Sequence, residues 1–216
     1  MSSTRDTGGG GDSRHFYGEV PSPFLLDWDA LGENEQKRYE RWFKANVSEN
    51  VSRLERLVRQ EVPGWVADFS MGSLEPLGEW LERSARVRPY DNAVDARRAS
   101  TCTFAFIAIQ LEDAQGAKIV MTDETLLAVS LAAVYTGETY RRLLAAKGCS
   151  ARWQRAKRRS RVGFGQITVW GRSETMSGET DWGDVLIWSL RYFIEDGSRR
   201  LSLESSVTGA VDLFLD

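Results

Sequence analysis

The sequence predicts an α+β fold: a single compact domain whose small antiparallel sheet is packed by a central helix, preceded by a long N-terminal helix. Three observations predict it. Residues 33–61 place apolar side chains at helical spacing on one face. Residues 122–147 form a more apolar helical run with a start signal and a stop signal. Short β-prone stretches bounded by turn residues surround the second run, at 101–121 and 151–170.

The composition bounds the functional classes. The chain has 216 residues, 42% hydrophobic and 11% aromatic, enough for one sizeable core. Eight Trp is a high count; some serve as core anchors, and exposed ones would mark a contact surface. The net charge of −3 does not point to nucleic acid or membrane as the main partner. There is no run of 18 apolar residues and no signal-peptide pattern, so a cytoplasmic location without membrane attachment is expected. Two cysteines, Cys102 and Cys149, are read as reduced thiols. The single histidine, His15, falls in the predicted tail. That weakens triad, Cys-His and His-metal chemistries, each of which needs an imidazole held in a rigid site. No catalytic residue, metal ligand or cofactor is assigned.

Residues 1–14, with four consecutive glycines, read as a disordered tail. Residues 15–62 read as an aromatic arm followed by the long helix, and 63–216 as the α+β domain. The arm holds Phe16 and Tyr17 before, and Phe24 and Trp28 after, the prolines Pro21 and Pro23. It either packs across the body or docks on a partner. In the long helix Tyr39, Phe43, Val47, Val51, Leu54 and Val58 keep phase over roughly 40 Å. Glu35, Lys37, Arg38, Arg41, Lys44 and Arg53 make the solvated face.

Pro63-Gly64 stops that helix. Residues 65–69 are expected to form a short strand, and Ser70 or Ser73 to cap a helix over 73–85 with Leu74, Leu77, Trp80 and Leu81 buried. Residues 86–100 lack periodicity and read as a loop, with a helical turn near 92–97. A hairpin is expected over 101–121 around the turn 113–116, with a helix over 101–111 as the rival.

The central helix is expected from Thr122, an N-cap followed by Asp123 and Glu124, to Lys147, before Gly148 in a left-handed position. A mid-helix glycine costs about 1 kcal/mol, so Gly137 implies an element crossing close by. Glu138 lies four residues before Arg142, the favourable order for an ion pair.

Residues 141–161 contain nine basic residues and no acidic one. A strand over 151–156 carrying Trp153, a turn at 157–160 and a partner strand over 162–170 are expected. Residues 173–216 hold nine acidic residues against three basic, so a meeting of the two segments accounts for the basic run as well as a ligand does. Residues 182–194 suit a helix with Asp181 as cap, or a strand turning at 195–198. The apolar end, 207–215, is expected to dock.

Three local patterns carry a family resemblance. Asp68-Phe69-Ser70-Met71-Gly72-Ser73-Leu74-Glu75-Pro76-Leu77-Gly78-Glu79-Trp80-Leu81, then Tyr135-Thr136-Gly137-Glu138-Thr139, then Trp153, resemble small uncharacterised bacterial proteins of actinobacterial type. The resemblance spans about 65–194, with a longer 86–121 segment than the pattern leads one to expect. It implies a small α/β domain, at times beside toxin-immunity or conflict genes, and no reaction.

The binding candidates are Arg152, Trp153, Arg155, Lys157, Arg158, Arg159 and Arg161 of the basic hairpin, together with Glu138. Each has a structural counterpart: an internally paired surface for the hairpin, and packing of Tyr135 and Gly137 with an Arg142 ion pair for Glu138. Two functions compete. The first is a non-enzymatic protein-interaction module, immunity-like or a defence-system accessory, that binds a protein partner through a Trp-rich or basic surface. The second is a carboxylate-dependent enzyme using Glu138, with Asp68 as second carboxylate, or a nucleic-acid-binding factor using hairpin 152–161. Nucleic acid is the secondary partner class.

Overall fold

The computed structural model describes residues 32–95, 110–113, 115–156, 167–196 and 201–215. Residues 1–31, with the expected tail and arm, 96–109, 114, 157–166, with the expected turn at 157–160, 197–200 and 216 lie outside the described residues. Lys157, Arg158, Arg159 and Arg161 are among them.

Helix α1, Glu33–Glu61, runs unbroken, as its single apolar stripe requires; Tyr39, Phe43, Val51, Leu54 and Val58 are buried. The segment 65–69 is not the expected strand. Phe69 sits at φ +60°, which breaks extended backbone. The apolar pattern there is met by packing instead: Trp65 is buried and its indole N–H donates to the Ser73 carbonyl at 2.9 Å. A 3₁₀ turn, Met71–Ser73, then leads into α2, Leu74–Ser84. Neither Ser70 nor Ser73 caps through its hydroxyl. The Ser73 hydroxyl is turned toward the Ser70 carbonyl and Tyr135 instead.

Strand β1, Val87–Pro89, lies where a loop was expected. Three residues ending in proline show no alternation. Their pairing is imposed from outside by β3, Lys118–Met121, in the register Val87 opposite Met121. Arg86 beside it both donates to and accepts from the Thr125 hydroxyl. Strand β2, Leu111–Glu112, pairs with β3 on its other side, so the described part of the expected hairpin is present, closed by Asp113 at the turn. The first sheet has the order β1-β3-β2, all antiparallel.

Helix α3, Asp123–Ala146, organises the rest. The Thr122 hydroxyl accepts from the Thr125 N–H at its start, and Gly148 at φ +82° ends it. Every side chain from Val129 to Tyr140 is buried. The helix is therefore enclosed on all sides and touches α1, α2, β4, β5 and the two C-terminal helices. Buried hydroxyls on it turn back onto its own carbonyls, Ser130 to Leu126 and Thr139 to Tyr135.

The second sheet is β4-β5-β6, from Ser150–Arg155, Ile167–Arg172 and Ser177–Thr180. Strand β6 carries no apolar pattern, and sequence reasoning missed it. The sheet's inward face places Trp153 and Val169 against the core, and its outward face carries Arg152, Trp170 and Glu179 in one cross-strand row. Residues 182–196 are helix α4, Trp182–Asp196, which decides between the two expectations. Helix α5, Leu203–Asp212, docks through Leu203, Val207 and Val211. The fold is thus α+β with a long N-terminal helix, built on two small antiparallel sheets rather than one. Among the described residues no helix is long and apolar enough to cross a membrane.

Gly137 is where α3 meets β4. A Cβ built there would lie 2.3 Å from Trp153 Cη2, 2.9 Å from its Cζ2 and 3.0 Å from Trp182 Cδ1. Gly137→Ala should therefore lower stability by about 1–3 kcal/mol, even though alanine is the better helix former. Urea denaturation measures this. The loss should shrink in a Trp153→Leu background, where the clashing ring is gone; an equal loss there would refute the steric account.

Candidate functional site

The sequence candidates separate into three groups. Glu138, Trp153 and Arg155 are used within the fold. Arg152 faces outward. The remaining hairpin cations lie outside the described residues.

Glu138 is 6% exposed, on the α3 face toward β4. Arg141 donates to both of its oxygens, Nη2 to Oε1 at 2.7 Å and Nε to Oε2 at 2.8 Å. Arg142 Nε reaches Oε1 at 3.0 Å, and the Trp153 indole N–H reaches Oε2 at 3.0 Å. The ion pair with Arg142 was expected from spacing; Arg141 and Trp153 join it through the fold. Burial pushes this carboxyl up, but the two guanidinium groups and the indole outweigh it and hold the carboxyl below its usual value. Each oxygen already accepts two donors, which suits a packing node better than a proton carrier.

Trp153 extends the node. Its ring meets Phe43 of α1 edge-on at 5.0 Å between centroids. Arg155 is tied to α1 as well. Its N–H donates to Glu40 at 3.3 Å, its guanidinium donates to Gln36 at 2.8 Å, and Glu33 lies 3.7 Å away. A meeting with the acidic residues after 173 is one account of the basic segment. Among the described residues Arg141 and Arg142 pair with Glu138, Arg155 is tied to α1, and Gln154 joins the two segments by donating to Glu179 at 2.8 Å; four cations of the segment lie outside the described residues. Pairing follows adjacency in space, and the sheet's inward face looks at α1.

A second cluster lies one helical turn earlier on α3. The Tyr135 hydroxyl accepts from the Phe69 N–H at 2.9 Å and pairs with the Ser73 hydroxyl. Ser73 donates its proton to the Ser70 carbonyl, so Tyr135 donates to Ser73. Phe69 stacks on Tyr135 at 5.2 Å, and the Arg142 guanidinium covers the Phe69 ring at 3.6 Å. Three contacts from α3 thus hold a bulky residue in left-handed backbone. Asp68 is on the solvent side of this loop, with Oδ1 accepting from the Ser70 N–H at 2.8 Å. It does not join Glu138 in a carboxylate pair: the two belong to separate hydrogen-bond sets, and that of Glu138 is already filled.

On the outward face of the second sheet the Arg152 guanidinium lies 4.1 Å from the Trp170 ring centroid. Arg152 and Arg172 are exposed, with Ser150 and Ser177 beside Arg172. Sequence reasoning named Arg152 but not Trp170 or Arg172. The signal was present: if Ile167 and Val169 face inward, then Thr168, Trp170 and Arg172 face outward. Among the described residues no group of three or more His, Cys, Asp or Glu is placed to hold a metal ion. Cys149 is a buried free thiol.

No family model, curated protein or solved structure matches the chain.

The Glu138 node should be visible in acid. Its folded carboxyl titrates below the usual value of 4.5, so its contribution is complete above that pH and is lost as pH falls through the folded value. Glu138→Gln should cost about 1–3 kcal/mol at neutral pH. The gap to the parent protein should then narrow steadily below about pH 4.5. Chemical denaturation across pH 3–7 checks this; a gap independent of pH would remove the charge from the explanation.

Proposed function

We propose that this chain is a non-enzymatic, cytoplasmic protein-interaction module that binds an acidic segment of a protein partner through the outward face of the second sheet. The observation that carries the reading is the Arg152–Trp170 stack beside Arg172. These cations are exposed, whereas Glu138, Arg141 and Arg155 are engaged inside the fold. A guanidinium held over an indole ring loses little freedom on binding, and Trp and Arg are the residues most often decisive in protein interfaces. The resemblance to small bacterial proteins that sometimes neighbour toxin-immunity genes supports an immunity-like or defence-accessory role. The net charge of −3 weighs against nucleic acid as the main partner. The enzymatic alternative draws no support from Glu138, whose oxygens are occupied by donors from its own fold.

The test starts with a partner isolated on the native protein and then purified, so that binding is measured between two defined chains. Arg152→Glu combined with Arg172→Glu should weaken that binding by at least about tenfold, or ~1.4 kcal/mol, with an unchanged melting curve. Unchanged affinity would overturn the assignment of this face. Binding of single-stranded oligonucleotides with a steep salt dependence, and of no protein, would favour the nucleic-acid reading instead.

A further inference from the structure

Pro63-Gly64 ends α1, and the chain then doubles back through 65–70 before α2 begins. The two helix ends and the connecting loop enclose an open cleft of about 350 Å³. Its apolar side is Val62, Trp65, Val66 and Pro76, and Val66 is 48% exposed. Its polar lining is Ser70, Ser73 and Asp68. Asp68 is the one charged residue in that lining, and its side chain stays at the solvent edge.

We infer that this cleft is a binding site for an alkyl cation, an alkylguanidinium or alkylammonium group, with the charge on Asp68 and the alkyl stem along Val62, Val66 and Pro76. The site does not depend on the sheet-face reading above. Its volume lies in the range of small-ligand clefts, and one charge facing an apolar side suits a ligand with a charged head and a short apolar stem. An anion would meet the Asp68 carboxylate, and no cationic residue lines the cleft to offset it. The nearby guanidinium groups are engaged elsewhere: Arg59 on the Trp65 carbonyl and Glu55, Arg142 on Phe69 and Glu138.

The site is also preformed. The Ser70 N–H, aided by the Ser70 hydroxyl, holds the Asp68 carboxyl below its usual value, so it is ionised at neutral pH. Tyr135 and Arg142 fix Phe69, the residue between Asp68 and Ser70, in a conformation it would not hold alone. The aspartate is therefore presented on a rigid loop, and little ordering remains for a ligand to impose.

The full chain should be titrated with n-butylguanidinium and, separately, with its neutral isostere n-butylurea, following backbone amide and indole N–H signals by NMR. The amides of Asp68, Phe69 and Ser70 and the Trp65 indole should shift and saturate with the cation. The urea should bind at least about threefold more weakly, the scale of one solvent-edge ion pair. Asp68→Asn keeps an acceptor for the Ser70 N–H and should bring the cation down to the urea's affinity. Equal affinity of the two probes on the parent protein, or no saturable shift at these residues, would overturn the proposal; that comparison needs no variant and decides the matter even if Asp68→Asn folds poorly. A blocked Ala-Arg-Ala peptide binding more tightly than n-butylguanidinium would identify the source as a basic side chain of a protein, and weaker binding would identify a free small cation.

Discussion

The fold depends on the contact between the Trp153 ring and the bare Cα of Gly137. The ring lies where any side chain on that turn of α3 would have to go, so β4 can approach the helix only because residue 137 has none. The same indole reaches Phe43 on α1 and donates to Glu138 on α3. One side chain thereby joins the long N-terminal helix, the central helix and the second sheet. Glu138 can be buried because this indole and two neighbouring arginines supply its donors. Without them a desolvated carboxylate would be a large cost rather than a cross-link.

The same helix controls the loop after α1. Tyr135 and Arg142, two turns apart on α3, both contact the Phe69 ring, and the Tyr135 hydroxyl accepts the Phe69 N–H. Arg142 belongs to both clusters, with its ring contact on Phe69 and its ion pair on Glu138. The strained loop and the buried carboxylate are therefore coupled through a single guanidinium. A packing core and a surface cleft share their supports, and the cleft's aspartate is held in place from behind.

Much of the secondary structure was legible in the chain. The bounds of α1 coincide with its apolar stripe, and Thr122 and Gly148 delimit α3 as their local chemistry requires. Strands β1 and β6 were illegible, since neither Val87-Arg88-Pro89 nor Ser177-Gly178-Glu179-Thr180 has a buried face to alternate; partners in space make them strands. The 65–69 stretch failed in the opposite sense. Its apolar pattern was real, but Tyr135 and Trp65 satisfied it by side-chain contacts rather than by a ladder. The candidate site divided similarly. The spacing of Glu138 and Arg142 announced their pair, while the involvement of Arg141 and Trp153 required β4 to lie against α3. The outward position of Trp170 and Arg172 followed from strand phase, once the strand was known to continue to Arg172.

By itself the sequence determined the α+β class, the two principal helices with their ends, and the presence of a close approach at Gly137. These are local properties: periodicity, caps and the cost of a glycine inside a helix act within a few residues of chain. Only the tertiary structure decided what approaches Gly137, that residues 182–196 are helical, and which charges are spent inside the fold. The basic segment shows why. Composition offered the acidic C-terminal residues as one balance for its charges; ion pairs form over a few ångströms, and among the described residues the sheet's inward face sets Arg155 against α1 and leaves Arg152 on Trp170 facing out.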